Sequence, residues 1–580
     1  IFVARGGVQL ENDAFTNNEG STGGAISTQW DYGTQLAIKN CQFTENKATG
    51  SGGALYSYGS TVEVWDSDFA GNNAAYGGAV CMSGRYNIKP YYATLTVHEG
   101  CTFTNNCVTG SGGAIYMETN GTSYTDDDSE LKYYHNVVNI LGTKEKPVTF
   151  TGNQATSGHG GVLRMGNRVD LNVEYATFDN NSCGNSTGHV GGVIYAGACD
   201  TVKLTNSTFT NNSTTGSGGV LYADGAVQYV TINGTSTKYP DPENITVENC
   251  RFTGNSAGSN GGVIATAGNF NNDANRYKDL VGNLTLKDNT FDDNHAGSQG
   301  GALYIHSNWE GKIDGGSITN NTAGTNGGAL FVRRSHVSVD GGAVIDGNTA
   351  GSDGGAIYVG YEWGDTWKDN TYPDNSVTTE DCTISHNTAQ RGGVAFMQSY
   401  AGFAMEKTTQ VEGNIGTGDV YVCANAREVT LAKAAELQGE YTAWRMDDTT
   451  DLTEAVINEE GSSKDHYYNL LGDTRYVARL NGGLLGFGEK FATLQAAINA
   501  AQTRDGDSTI DLLADVNEKV TANTENGAIT LNLNHYTLSG SIKLNNAKNS
   551  NAFTLTDEAK ADAKENSTAG LFTGTGDGIV

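Results

Sequence analysis

Proline is almost missing from this chain, with 5 residues in 580. Although 78 glycines are present, that scarcity excludes a collagen-like rod or a proline-rich linker. Nine cysteines are too few for a disulfide scaffold of this length, and no C-x-x-C or histidine-rich zinc spacing occurs. Positive charge is scarce as well: 35 Lys and Arg stand against 65 Asp and Glu, a formal charge of −30. Such a surface repels nucleic acid and anionic lipid, so neither is expected as a partner. No run of 18 apolar residues exists, so no membrane insertion is expected within this segment.

What the chain does contain is a recurring phrase. F-x-x-N, a short polar stretch and then G-G-A/V-I/L repeat about a dozen times between residues 15 and 396. The closing asparagines are Asn18, Asn46, Asn72, Asn106, Asn153, Asn181, Asn212, Asn255, Asn294, Asn321, Asn348 and Asn387. A fixed phrase at this period marks a solenoid. The shortest spacings, such as Phe43 to Phe69, are too short for a propeller blade. Segments such as Thr61-Val62-Glu63-Val64 alternate with period two, which predicts half-buried strands.

The fold expected is therefore all-β: a right-handed parallel β-helix of the pectin-lyase-like kind, with three short strands and three turns per coil. Phe and the Ile or Leu after G-G-A/V face inward and stack on their counterparts. The repeat asparagine is expected at a turn, itself in left-handed backbone, and able to form an amide ladder along the axis. One glycine of each pair is expected at positive φ, and the missing side chain lets coils approach closely. These residues are read as scaffold.

F-x-x-N paired with G-G-A-I resembles the repeat of the chlamydial polymorphic membrane proteins, surface adhesins with a β-helical passenger. The resemblance covers roughly residues 1–420 and implies a secreted or surface-displayed protein. From Tyr476 the character changes. Leu494, Ala497, Ile498 and Ala501 form an apolar stripe at helical spacing with Thr493 as its cap. The alternating run Ile529-Thr530-Leu531-Asn532-Leu533 follows. This part resembles the entry to a second β-helix in cell-surface proteins of Gram-positive bacteria. The expected organisation is a first β-helix of about 13 coils over 1–431, a cap or linker over 432–475, and the start of a second β-helix over 476–580. The chain opens mid-coil at Ile1, so it is expected to be a piece of something longer.

Cys41, Cys101, Cys250 and Cys382 all lie two residues before the repeat's Phe or Ile, which reads as an inward stack of small apolar groups. Cys183 and Cys199 flank one coil and are the pair whose placement leaves a bridge open. Three acids in a row, Asp126-Asp127-Asp128, offer a place for Ca²⁺, but a solvated loop is favoured. The glycine-aspartate nonapeptide of calcium β-rolls is absent. No cofactor or metal is expected.

Long repeats all expand between the G-G strand and the next F-x-x-N, so the extra loops should leave one side of the rod. They carry Tyr91, Tyr92, Tyr124, Tyr133, Tyr134, Tyr229, Tyr239, Tyr361, Trp363, Trp367 and Tyr372. Rings on rigidly mounted loops are recognition chemistry, or else they pack down onto the barrel. A second aromatic series follows G-G-A/V-I/L: Tyr56, Tyr116, Tyr195, Tyr222, Tyr304, Phe331, Tyr358 and Phe396. It is expected as an outward ladder, for cross-strand support or for stacking sugar rings or a neighbouring rod.

Catalysis finds little support. Gly158-His159-Gly160 resembles a polygalacturonase signature, yet Gly160 opens an ordinary repeat and no N-T-D or R-I-K partner exists. Asp292-Asp293 occupy variable slots of F-x-x-N. A glycosidase needs two carboxylates at one defined separation, and nothing singles out such a pair. Sequons such as those at Asn120, Asn206 and Asn233 arise readily in Asn/Thr-rich turns. The reading is a non-catalytic adhesin or fibre component at the cell surface. Its partner is a host or neighbouring-cell glycan or protein, or copies of itself. The alternative is a glycan-binding or polysaccharide-cleaving β-helix.

Overall fold

In the computed structural model, the described residues are 1–3, 6–28, 34–84, 93–119, 123–124, 135–225, 229–232, 235–238, 243–268, 282–360, 375–398, 401–405 and 409–417. Beyond these come strand segments between 420 and 490, then chiefly 493–502, 508–512, 515–524, 527–533, 535–545, 553–557 and 571–579. The repeated part is a parallel β-helix. Each coil contributes four strands, not the expected three. In the coil opened by Phe43 they are Gln42–Thr44, Lys47–Ala48, Leu55–Tyr58 and Thr61–Trp65. We number the sheets they build 1 (after the Gly pair), 2 (the alternating strand), 3 (carrying Phe) and 4 (after Asn). Sheets 2, 3 and 4 have 15, 14 and 13 strands, paired coil to coil in parallel. The fourth strand escaped prediction because it is two residues long and turns only one side chain inward, as with Ala48 and Ala74.

Register explains the inward Phe positions. Phe43 pairs with both Phe15 and Phe69, so every ring meets its own kind one coil away. Nine rings from Phe15 to Phe291 stack face to face, with centroids between 4.6 Å (Phe43 to Phe69) and 4.9 Å (Phe252 to Phe291). Ile318, Ile345 and Ile384 continue the column, all buried. Leu and Ile of sheet 1 and the Val pairs of sheet 2 close the same core.

The repeat asparagines are buried at the corner between sheets 3 and 4. Nδ2 of Asn46 donates to Oδ1 of Asn72 at 2.9 Å and to the carbonyl of Phe15 in the coil before, at 2.9 Å. Oδ1 of Asn46 accepts from the backbone N and the Nδ2 of Asn18. The same pattern runs without a break to Asn387, whose Nδ2 donates to Asn414. The left-handed residue is not this asparagine but the one before it: Asn17, Glu45, Gly71, Asn105, Gly152, Asn180 and their equivalents have φ near +55° to +65°. The preceding residue turns the corner, which leaves the asparagine free to align its amide with the stack.

The two glycines of each pair serve different ends. The first has positive φ, +70° at Gly52 and +68° at Gly160. The second is where coils touch: a Cβ on Gly192 would lie 2.0 Å from the carbonyl oxygen of Gly219. All eight described cysteines are free, Cys183 and Cys199 included, so no bridge links that pair. Burial pushes the thiols of Cys101, Cys250 and Cys382 up to about 12.

Parallel pairing continues into 438–439, 442–445 and 457–458, within the stretch expected to close the coil. Farther on, Ser508–Asp511, Ile529–Asn532 and Phe553–Thr556 pair in parallel, as do Val516–Ala522, Thr537–Leu544 and Leu571–Ile579. The helix Leu494–Gln502 turns Leu494, Ala497, Ile498 and Ala501 into a separate apolar cluster with them. Oγ1 of Thr493 accepts from the N–H of Ala496, and the Glu518 carboxylate accepts from Leu494 and Gln495 N–H. These contacts satisfy three amides that the first helical turn leaves open.

Candidate functional site

The chain leaves the stack at one corner. Five coils are widened between their sheet 1 and sheet 2 strands: after Val80–Gly84, Ile115–Thr119, Leu221–Gly225, Ile264–Gly268 and Ile357–Gly360. Each re-enters at the register of its neighbours, as Asn136–Leu141 does against Thr94–His98. Because equivalent corners stack, the five insertions share a flank.

Of the expected contact residues, Tyr91, Tyr92, Tyr133, Tyr134, Tyr239, Tyr361, Trp363, Trp367 and Tyr372 lie outside the described residues. Tyr124 and Tyr229 lie on placed strands. Ser123–Tyr124 pairs in parallel with Thr231–Ile232, and Tyr229–Ile232 forms a hairpin with Thr235–Lys238. Two insertions from coils three turns apart thus join in one small sheet.

The second aromatic series lies on the outer face of sheet 1, apart from the core. Tyr304, Phe331, Tyr358, Phe396 and Tyr421 stack at 4.9–5.1 Å, and the last four are at most 7% exposed. Earlier in the column Arg164 replaces a ring, with its guanidinium 5.1 Å from the Tyr116 centroid and 5.5 Å from that of Tyr195. Stacked rings cover each other's faces. That geometry is cross-strand support and leaves no open ring face for a sugar along 331–421.

The residues weighed for catalysis are absorbed by the scaffold. Nδ1 of His159 accepts from the N–H of Val190, and the ring stacks on Tyr195 at 4.8 Å. Burial first, then His189 and Arg164, depress its pKa. Asp292 accepts from Thr319 and Asn320.

One cluster was not anticipated. At the base of the insertion flank, Asp200 and Glu243 fall at equivalent positions in adjacent coils, since Thr201 pairs with Asn244. Glu243 is 4% exposed, and neither carboxylate oxygen has a hydrogen-bond partner. Burial, then the charges of Asp224 and Asp200, hold its carboxyl well above the usual range. Nδ1 of His135 lies 2.9 Å from Asp170, and Nε2 makes an ion-pair contact of 2.9 Å with Asp200. Burial opposes charge on this ring, but the two carboxylates outweigh it and raise the pKa to about 10. The Tyr195 hydroxyl donates to Asp224 at 3.1 Å. The signal was in the sequence: Glu243 shares parity with the inward Ile245 and Val247.

A family model described as the Chlamydia polymorphic membrane protein repeat matches residues 40–58, 100–118, 206–224, 290–306 and 342–360. The chain carries Pmp repeats. Each matched segment spans sheets 3, 4 and 1 and stops at or near the corner where insertions begin, so the Pmp repeat is scaffold and the flank lies outside it. The chain is 29% identical over 210 residues to the probable outer membrane protein pmp7 of Chlamydia pneumoniae, covering 34% of this chain and 19% of that protein. It is 30% identical over 173 residues to the probable autotransporter YfaL of Escherichia coli, covering 27% of this chain and 14% of that one. The chain thus spans less than a fifth of either relative. The cell-surface placement expected from the sequence agrees with both. No solved structure matches.

Proposed function

We propose that this segment is a non-catalytic cell-surface rod whose insertion flank makes adhesive contacts with a glycan or protein on another cell. The observation that carries the reading is the shared corner: five insertions leave the stack at equivalent positions, and two of them pair with each other. A rigid scaffold with loops gathered along one side is suited to a broad contact, because the coils hold each loop in place before binding. The names of the relatives support a surface protein, and the adhesive role is the step added here.

The test is to replace 361–374, and separately 120–134, with a tight turn like the one at 198–200. Each variant is compared with the parent for unfolding midpoint and for retention on cultured host cells and a glycan array. Retention should fall at least tenfold while the midpoint stays within about 2 °C, since the stack is untouched. Full retention by both variants would instead indicate a stalk without a ligand on this flank.

A further inference from the structure

The buried corner beneath the insertions concentrates carboxylates. Four carboxylates gather there, Asp170, Asp200, Asp224 and Glu243, with His135 between two of them. Cys199, fully buried, has Glu243, Asp200 and Asp170 as acidic neighbours and Arg164 as a cationic one. Arg168 is buried in the same corner. Glu243 is an inward carboxylate, nine-tenths buried, with both oxygens unpaired and the charges of Asp224 and Asp200 acting on it. A buried polar group without partners is costly, and a buried charge more so.

We propose that a hard divalent cation of the calcium class binds between Asp200 and Glu243, with Asp224 at its edge. The coil spacing suits it. Equivalent residues in adjacent coils stand about 4.8 Å apart, which is close to twice a Ca²⁺–oxygen distance of roughly 2.4 Å. The ion would satisfy the orphaned oxygens of Glu243 and offset the charge that Asp200 and Asp224 place beside it. Among the described residues no three His, Cys, Asp or Glu side chains already converge on a metal position. Backbone carbonyls and water must then complete the shell, as Ca²⁺ accepts and a softer, tetrahedral ion does not. Glu243 opens the strand Glu243–Glu248 and Asp200 directly precedes the strand Thr201–Thr205, both of them in sheet 2, so a bound ion would tie the stack to the base of the flank.

Terbium offers a direct probe, because Tyr195 beside Asp224 can sensitise its emission. The 580-residue chain, stripped of metal, is titrated with Tb³⁺ and then with Ca²⁺, and its unfolding midpoint is followed with Ca²⁺ and with EDTA. The expected result is saturable emission displaced by Ca²⁺ and a midpoint several degrees higher in Ca²⁺. Both effects should vanish in Glu243→Gln, a nearly isosteric change, and persist when Asp126, Asp127 and Asp128 are changed to Asn together. Unchanged emission in Glu243→Gln, or no Ca²⁺ effect in the parent chain, would overturn the proposal. So would a Glu243→Gln chain that is more stable than the parent in Ca²⁺, which would mark Glu243 as a buried acid held in its protonated form.

Discussion

At the residue scale the repeat is governed by a few side chains that have no substitute. Asn181 shows why. Its Oδ1 accepts from the N and Nδ2 of Asn153, and its Nδ2 donates to Phe150 O and to Asn212 Oδ1. Asn181→Ala leaves several buried groups unpaired, each costing roughly 1–3 kcal/mol. It should destabilise the chain by about 3 kcal/mol in urea unfolding, and a loss under about 0.5 kcal/mol would show that the ladder is ornamental. His135 gives a second prediction. Its pKa rises from 6.5 to about 10 on folding, so the charged ring favours the folded state fully below pH 6.5. That contribution is lost as pH climbs toward 10. The midpoint gap between the parent and His135→Gln should therefore be widest near pH 6 and close by pH 10. A gap that widens with pH would contradict the assignment.

Elements show which readings the sequence could carry. Phe from Phe15 to Phe291, then Ile at Ile318, Ile345 and Ile384, in sheet 3, and alternating Val in sheet 2, have clear inward parity, so the core was legible. Four strands per coil were not, because a strand such as Lys47–Ala48 is too short to show a period. The left-handed position lies one residue before the expected one, although the slot carries a compositional mark: Asn17, Gly71, Asn105, Gly152, Asn180 and most of their equivalents are Asn or Gly, which tolerate positive φ, with Glu45 and His386 among the exceptions. The acidic corner leaves a faint mark: Glu243 shares the parity of Ile245 and Val247, but a lone acid at a strand's first position reads as solvated. The Gly pair was legible as close approach, and the sheets make it testable. Gly192→Ala places a methyl 2.0 Å from the Gly219 carbonyl, whereas Gly188→Ala meets nothing nearer than 3.9 Å. The first should lower the thermal midpoint strongly and the second should leave it within about 1 °C. Equal effects would mean that the coils are not in contact at this glycine.

For the whole molecule, distance along the rod counts coils and not residues. Thr44 and Thr210 are equivalent positions five coils apart. Three further pairings carry Thr210 to Thr319, eight coils from Thr44. Spin labels placed at these threonines through an unnatural amino acid report the separations by pulsed electron resonance. At about 4.8 Å per coil the backbone separations should be about 24 Å for Thr44 to Thr210 and about 38 Å for Thr44 to Thr319. The two label distances should differ by about 14 Å, with narrow distributions. Broad distributions, or a Thr44 to Thr319 distance no longer than the other, would contradict a continuous stack.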